Sequence, residues 1–167
     1  MHNELTQKDI QLMKEELDHR RIHLRPQLLE EVKTARAFGD LSENFEYKAA
    51  KQEKNRNESR IRYLENMIKT AVVISDRTER DKVGLYDFVT VFVEEDEEEQ
   101  SYQIVTTVRQ DALKNRISKE SPFGKAVLGK GVGDRLWIQV NDSYGYYVVI
   151  RAIEKGEDDG AIPINSF

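Results

Sequence analysis

The 167-residue chain has no cysteine, which removes disulfide frameworks, thiolate metal sites and cysteine nucleophiles at once. No apolar run is long enough to span a bilayer, and the opening MHNELTQKD is polar, unlike a secretory leader. A soluble cytoplasmic protein with no membrane partner is the expectation. There is no Gly-rich phosphate loop, no HExxH pair and no defensible Ser/His/Asp arrangement. Positive charge is also short: 26 Lys and Arg stand against 31 Asp and Glu, a net charge of −5. A protein that coats DNA through an overall positive field is therefore excluded, although a local basic patch is not. Hydrophobic residues make up 38% and charged residues 34%. That balance suits one ordinary domain or two small ones with much surface per residue.

The first half has helical periodicity. Thr6 and Asp9 suit a helix start, and Ile10, Met13, Leu17, Leu24, Leu28, Val32 and Ala35 then recur in steps of three, four or seven. Arg21 interrupts this seam, Pro26 should kink the helix or start a new one, and Gly39 suits its end. After GDLS a second seam runs through Ala50, Lys54, Asn57, Ile61, Leu64, Ile68 and Ala71. Two seams joined so briefly should fold back as an antiparallel hairpin. Its base, where Ile61, Leu64 and Ile68 oppose the stretch from Met13 to Leu24, should be well packed, and its tip thin and polar. About 30 residues would make an arm of roughly 45 Å, suited to reaching or to dimerising.

The second half changes character across a charged connector at 75–86. Residues 88–93, 102–107, 135–140 and 146–153 are rich in β-branched and aromatic types and are expected to be strands. Between the second and third lies SPFGKAVLGK. Here Ser121 suits an N-cap, Pro122 the first helical position, and a short helix should end before Gly129. The fold class is α+β, an N-terminal helical hairpin over 1–75 followed by a small domain with a mainly antiparallel sheet over 76–154. Residues 155–167 are expected to be a flexible tail.

The hairpin tip carries the sharpest chemical signal. In GDLSENFEY, Asp40, Glu43 and Glu46 are three residues apart. On a helix starting at the tip they would line one edge, and gathered carboxylates can hold Mg2+ through oxygen, with waters and phosphates completing its shell. Asp40 and Glu43 also have the spacing of a capping box, and spacing alone favours that structural role. Behind them, Lys48, Lys51, Lys54, Arg56, Arg60 and Arg62 make the second helix basic. This is either a flank that follows a nucleic-acid backbone or a solvated face laced with ion pairs. His19 and His23 lie one turn apart without a third ligand. The run EEDEEE at 94–99 suits a solvated loop, and Trp137 with Tyr144, Tyr146 and Tyr147 suits a sheet.

The stretches RPQLLEEVKTARAFGDLSENFEYKAAKQEK and RIRYLENMIKTAVVI resemble the Gre family of transcript-cleavage factors, as do EEEQSYQIV, NRISKESPFGKAVLGKGVGD and YYVVIRAIE. The resemblance runs over about 5–154. It implies an antiparallel coiled coil followed by an FKBP-like domain that docks at the secondary-channel rim of bacterial RNA polymerase, in a protein that is a monomer when free. It implies that Asp40 and Glu43, with Glu46 near them, help hold a second Mg2+ in the polymerase active site. Ser42 would contact the ion's waters or RNA. Lys48, Lys51, Lys54 and Arg56 would face the backtracked RNA 3′ end. Glu120, Ser121, Pro122 and Phe123 would form the polymerase-docking loop, with Gly124 beside them.

The expected activity is thus stimulation of RNA cleavage by the polymerase, with no nuclease activity of the chain's own. Two positions and the tail depart from the family pattern: Phe45 stands where a small residue is usual, Glu120 where Asp is common, and the tail after Glu154 exceeds the family length. Two alternatives stay open. One is an inhibitor that occupies the channel without stimulating cleavage. The other is a peptidyl-prolyl isomerase-like module, suggested only by fold.

Overall fold

The computed structural model describes residues 3–39 and 44–166. The chain divides into two compact units, one built on residues 9–72 and the other on residues 73–166 with residues 4–8. β1 (Asn3–Leu5) and β2 (Ala71–Val73) pair as a separate two-stranded ladder.

The second unit is a five-stranded sheet with a short helix. Its elements are β3 (Phe88–Val93), β4 (Glu98–Val105), β5 (Arg116–Ser118), α4 (Pro122–Val127), β6 (Arg135–Asn141) and β7 (Tyr144–Glu154). The strand order is β5-β4-β3-β7-β6. Its ladders are antiparallel except for β4 with β5. Alternation along β3 sends Val89, Val91 and Val93 inward, where they meet Ile104, Ile138, Val148, Ile150 and Val127 of α4. Burying side chains of this size stabilises by about 1.5–3 kcal/mol each before entropy is counted. β5 was not expected, since three residues carry no readable alternation. Glu98 and Glu99, assigned to a loop on charge, belong to β4, and the turn is confined to 94–97.

The expected flexible tail is instead packed. Ile162 joins the sheet core. Gly156 runs so close to Tyr86 that an added Cβ would lie 2.0 Å from the Tyr86 carbonyl oxygen. The ammonium of Lys155 donates to Asp87 Oδ2 (2.5 Å) and to Thr78 Oγ1, the Glu79 carbonyl and the Lys82 carbonyl (each 2.9 Å). The tail's charged residues looked solvated because their partners, buried Asp87 among them, lie far away in sequence.

The first unit is the helical hairpin. α1 (Gln7–His19) passes through a π-helical turn at Arg20–Leu24 into α2 (Arg25–Arg36), and α3 (Phe45–Lys69) forms the other arm. Pro26 explains the π turn. Lacking an N–H, it cannot continue the ladder, and the preceding turn widens so that Arg25 N–H reaches back to the Arg20 carbonyl. With 25 residues, α3 spans about 38 Å, shorter than the sequence suggests because Thr70 caps it and Ala71 enters β2. The apolar seam is Met13, Leu17, Leu28 and Ala35 with Ile61, Leu64 and Met67; Met67 takes the buried place assigned to Ile68, which is only half-buried.

Between the apolar layers lies a polar one. Arg60, 8% exposed, donates to both carboxylate oxygens of Glu16 (2.8 and 3.1 Å). Arg20 donates to Glu16 (2.7 Å) and to Asn57 Oδ1 (2.9 Å), and Asn57 donates to the Arg20 carbonyl. Arg25 then clasps Glu58 in a bidentate pair (2.8 and 2.9 Å). Arg60 therefore leaves the basic face inferred from sequence and becomes an internal tie.

Burial pushes the pKa of Glu16 up, but the hydrogen bonds and charges of Arg60 and Arg20 outweigh it and hold the carboxyl below the ordinary glutamate range. A depressed folded pKa gives stability that is complete above the unfolded value and lost as pH falls through the folded value. Glu16→Gln should cost about 1.5–3 kcal/mol at neutral pH. It should also flatten the acid limb of the melting-temperature profile followed by helical circular dichroism, and an unchanged limb would remove Glu16 from this role.

Candidate functional site

The first candidate site is the turn of the hairpin. Asp40, Ser42 and Glu43, the tip residues singled out by sequence, lie outside the described residues. What borders them is well defined. α2 ends with Ala37 as its C-cap, and Gly39 follows with φ +134°, a backbone that glycine tolerates and side chains resist. α3 starts at Phe45, and the expected edge of Asp40, Glu43 and Glu46 on one helix rests on two residues that lie outside the described ones. Glu46 is an exposed acid in the first turn of α3.

The capping role considered for Asp40 at α3 belongs to Asn44. Its Oδ1 accepts from Tyr47 N–H (3.0 Å), while its Nδ2 donates to the Ala35 carbonyl (2.7 Å). One amide thus starts α3 and ties it to the end of α2. The sequence signal was present in SEN, since Asn is as good a cap as Asp.

The flank behind the tip is mixed. Lys48 and Lys51 are exposed; the Lys48 ammonium lies 5.7 Å from the Phe45 ring centroid, and Phe45 itself is 80% exposed. Lys54 is half-buried. Arg56 is held by Glu53 of its own helix (2.6 Å). Arg36 stacks over Tyr47 and donates to its hydroxyl (3.3 Å), which helps hold that phenol below its ordinary pKa. Phe38, 72% exposed, stands on the other side of the turn. Among the described residues there is no group of three His, Asp or Glu placed to hold a metal ion. His19 and His23 have ring centroids 5.7 Å apart, exposed at the π turn.

The second candidate site is the loop from β5 into α4. Ser121 is the N-cap, accepting from Gly124 N–H (3.0 Å) and donating to the Ser118 carbonyl (2.7 Å). A Cβ on Gly124 would fall 2.2 Å from that same carbonyl, so only glycine lets the loop close this tightly. Pro122 is exposed at the first helical turn and Glu120 is half-buried. Phe123, assigned to the docking surface by sequence, is corrected: it is 7% exposed and packs edge-on against Tyr102 with centroids 5.0 Å apart. The i+2 step from Ser121 turns it inward. Lys119 forms an ion pair with Glu4 of β1. Thr107 and Ser118, unremarked in the sequence, bond to each other and to Glu120.

Residues 3–73 match the family described as "Transcription elongation factor, N-terminal", and residues 77–155 match "Transcription elongation factor, GreA/GreB, C-term". The chain belongs to the GreA/GreB family of transcription elongation factors. It is 42% identical over 132 residues to the transcription elongation factor GreA of Staphylococcus epidermidis, and 40% identical over 132 residues to that of Staphylococcus aureus. Each alignment covers 79% of this chain and 84% of the relative. A solved structure of the transcription factor Gfh1 is 27% identical with a TM-score of 0.46, covering 92% of this chain and 97% of that one.

Asn44→Ala should lower hairpin stability by about 1 kcal/mol. Asn44→Asp keeps the acceptor but loses the donor to Ala35, and should fall between wild type and alanine. Asp40→Asn should leave the thermal melt where it is; a drop matching that of Asn44→Ala would return the cap to Asp40.

Proposed function

We propose that this chain is an elongation factor that stimulates cleavage of backtracked RNA by bacterial RNA polymerase, lending acidic groups at its hairpin turn to the polymerase active site. Asp40 and Glu43 are the groups assigned to Mg2+, with Glu46 beside them and Ser42 toward the ion's waters or RNA. When bound there, the ion would help activate a water and offset charge on the phosphate. The chain's own part is to carry the carboxylates, present them on a stiff support, and keep a basic surface behind them for the RNA 3′ end.

The observation that carries this reading is the cap. Because Asn44 starts α3, the acids before it are not needed for that task, and the structural explanation that spacing favoured loses its hold. The exposed Lys48 and Lys51 suit a phosphate backbone; Lys54 and Arg56 contribute less freely, one half-buried and the other paired with Glu53. Docking is assigned to Glu120, Ser121 and Pro122. The hydrolysis itself belongs to the polymerase in this scheme, and this protein completes a site in trans.

The test is RNA release from purified backtracked elongation complexes at several magnesium concentrations. Neutralising both Asp40 and Glu43 should slow cleavage by about 10–100-fold at limiting magnesium, with the single Asp40→Asn variant partly rescued as magnesium rises. Unchanged release from the double variant would end this reading. A wild-type chain that slows both cleavage and extension would instead identify a channel-blocking inhibitor.

A further inference from the structure

The segment 155–166 lies almost wholly beyond the family match, which ends at residue 155, yet specific bonds tie it to the sheet unit. Several of its anchors fall on one short element, the 3-10 turn Thr107–Arg109. The Thr107 carbonyl accepts from Asn165 Nδ2 (3.2 Å), and the Val108 carbonyl accepts from Asn165 N–H (2.8 Å). The Arg109 guanidinium clasps Asp158 in a bidentate pair (3.1 and 2.7 Å), with the two side chains 0% and 1% exposed. Every residue of the turn thus takes a partner from the tail.

The turn in turn holds the β5–α4 loop. Thr107 Oγ1 donates to Glu120 Oε2 (3.0 Å), because a carboxylate accepts and does not donate. Its single hydrogen is then spent, so at the 2.7 Å contact between the two hydroxyls Ser118 is the donor and Thr107 the acceptor. Ser118 Oγ in turn accepts from Glu120 N–H (3.1 Å). The bonds close a circuit in one direction: Glu120 N–H to Ser118, Ser118 to Thr107, Thr107 to the Glu120 carboxylate. Each bond polarises the next, and the ring ends on the side chain it began from. Glu120 is thereby held in one conformation, provided Thr107 stays where the tail puts it.

We infer that the C-terminal segment is a strap that sets polymerase affinity by positioning Glu120 through Thr107, with Asn165 and Thr107 as positioning residues. The inference rests on the docking role proposed above for the Glu120 loop. A glutamate is one methylene longer than an aspartate, and that extra reach has to be restrained if its carboxylate is to meet a partner without losing rotamer entropy on binding. The circuit supplies that restraint before any partner arrives.

Asp158 is a poor test site, since removing it strands a buried guanidinium and threatens the fold. The experiment uses Asn165→Ala, Thr107→Val and Glu120→Ala in the full-length chain, alone and combined. It measures Kd for RNA polymerase by fluorescence titration, the maximal cleavage rate at saturating factor, and the thermal melt. Asn165→Ala and Thr107→Val should each raise Kd by about three- to tenfold with the maximal rate unchanged. Neither should add to Glu120→Ala, since all three act through one carboxylate. An unchanged Kd for Asn165→Ala, or full additivity with Glu120→Ala, overturns the strap. If Glu120→Ala itself leaves Kd unchanged, the docking assignment of Glu120 fails and the strap's role in affinity fails with it, whereas a weakened Glu120→Ala beside an unaffected Asn165→Ala sinks the strap alone.

Discussion

The hairpin depends on the polar layer in which Glu16, Arg20, Asn57 and Arg60 satisfy one another across the two arms. Two helices alone bury few side chains, and apolar contacts between them tolerate sliding. A buried guanidinium does not: displaced by one turn, Arg60 would lose its carboxylate and remain in the seam as an uncompensated charge. The pairing therefore specifies which residues face each other, and that register determines where the chain reverses. Met13, Leu17, Ile61 and Leu64 supply attraction; the ion pairs supply alignment. Arg25 with Glu58 repeats the device beyond the π turn.

The same logic of polar groups held by distant partners runs through the sheet unit. Asp87, almost wholly buried, accepts from Gly84 N–H, Gly156 N–H and Lys155, so one carboxylate joins the connector, the sheet and the tail. Arg109 and Asp158 form a second, fully buried tie between the sheet unit and the tail. These ties carry no repeating pattern along the chain, and their effect is to give the loops that flank the sheet a defined shape. The β5–α4 loop shows the result, with Ser118, Ser121 and Gly124 each placed by a specific bond or by the lack of a Cβ.

The function proposed for this chain lies in two turns, and they were legible to different degrees. Ser121 and Pro122 announced a helix start from chemistry that is wholly local: a hydroxyl to receive an N–H, and a ring that fits the first turn. The hairpin tip announced its acids equally clearly, yet the place of α3's first residue depended on Asn44 bridging to Ala35, a contact between segments that spacing cannot show. Phe123 appeared to belong to the surface because it adjoins Pro122, and the helical turn carried it into the core against Tyr102.

What the sequence determined by itself was the class of the longer elements. Period 3.6 with few β-branched residues yields helices, and alternation yields strands, because side-chain direction follows the backbone geometry of the residue that bears it. The hairpin, the sheet domain and the short capped helix were all readable on that basis. What tertiary structure decided was the fate of charged residues. Arg60, Asp87, Arg109, Lys155 and Asp158 look like surface groups wherever neighbours in sequence are the only guide. Burial of a charge is settled by whether an opposite charge from elsewhere in the chain arrives to meet it, and only folding brings the two together.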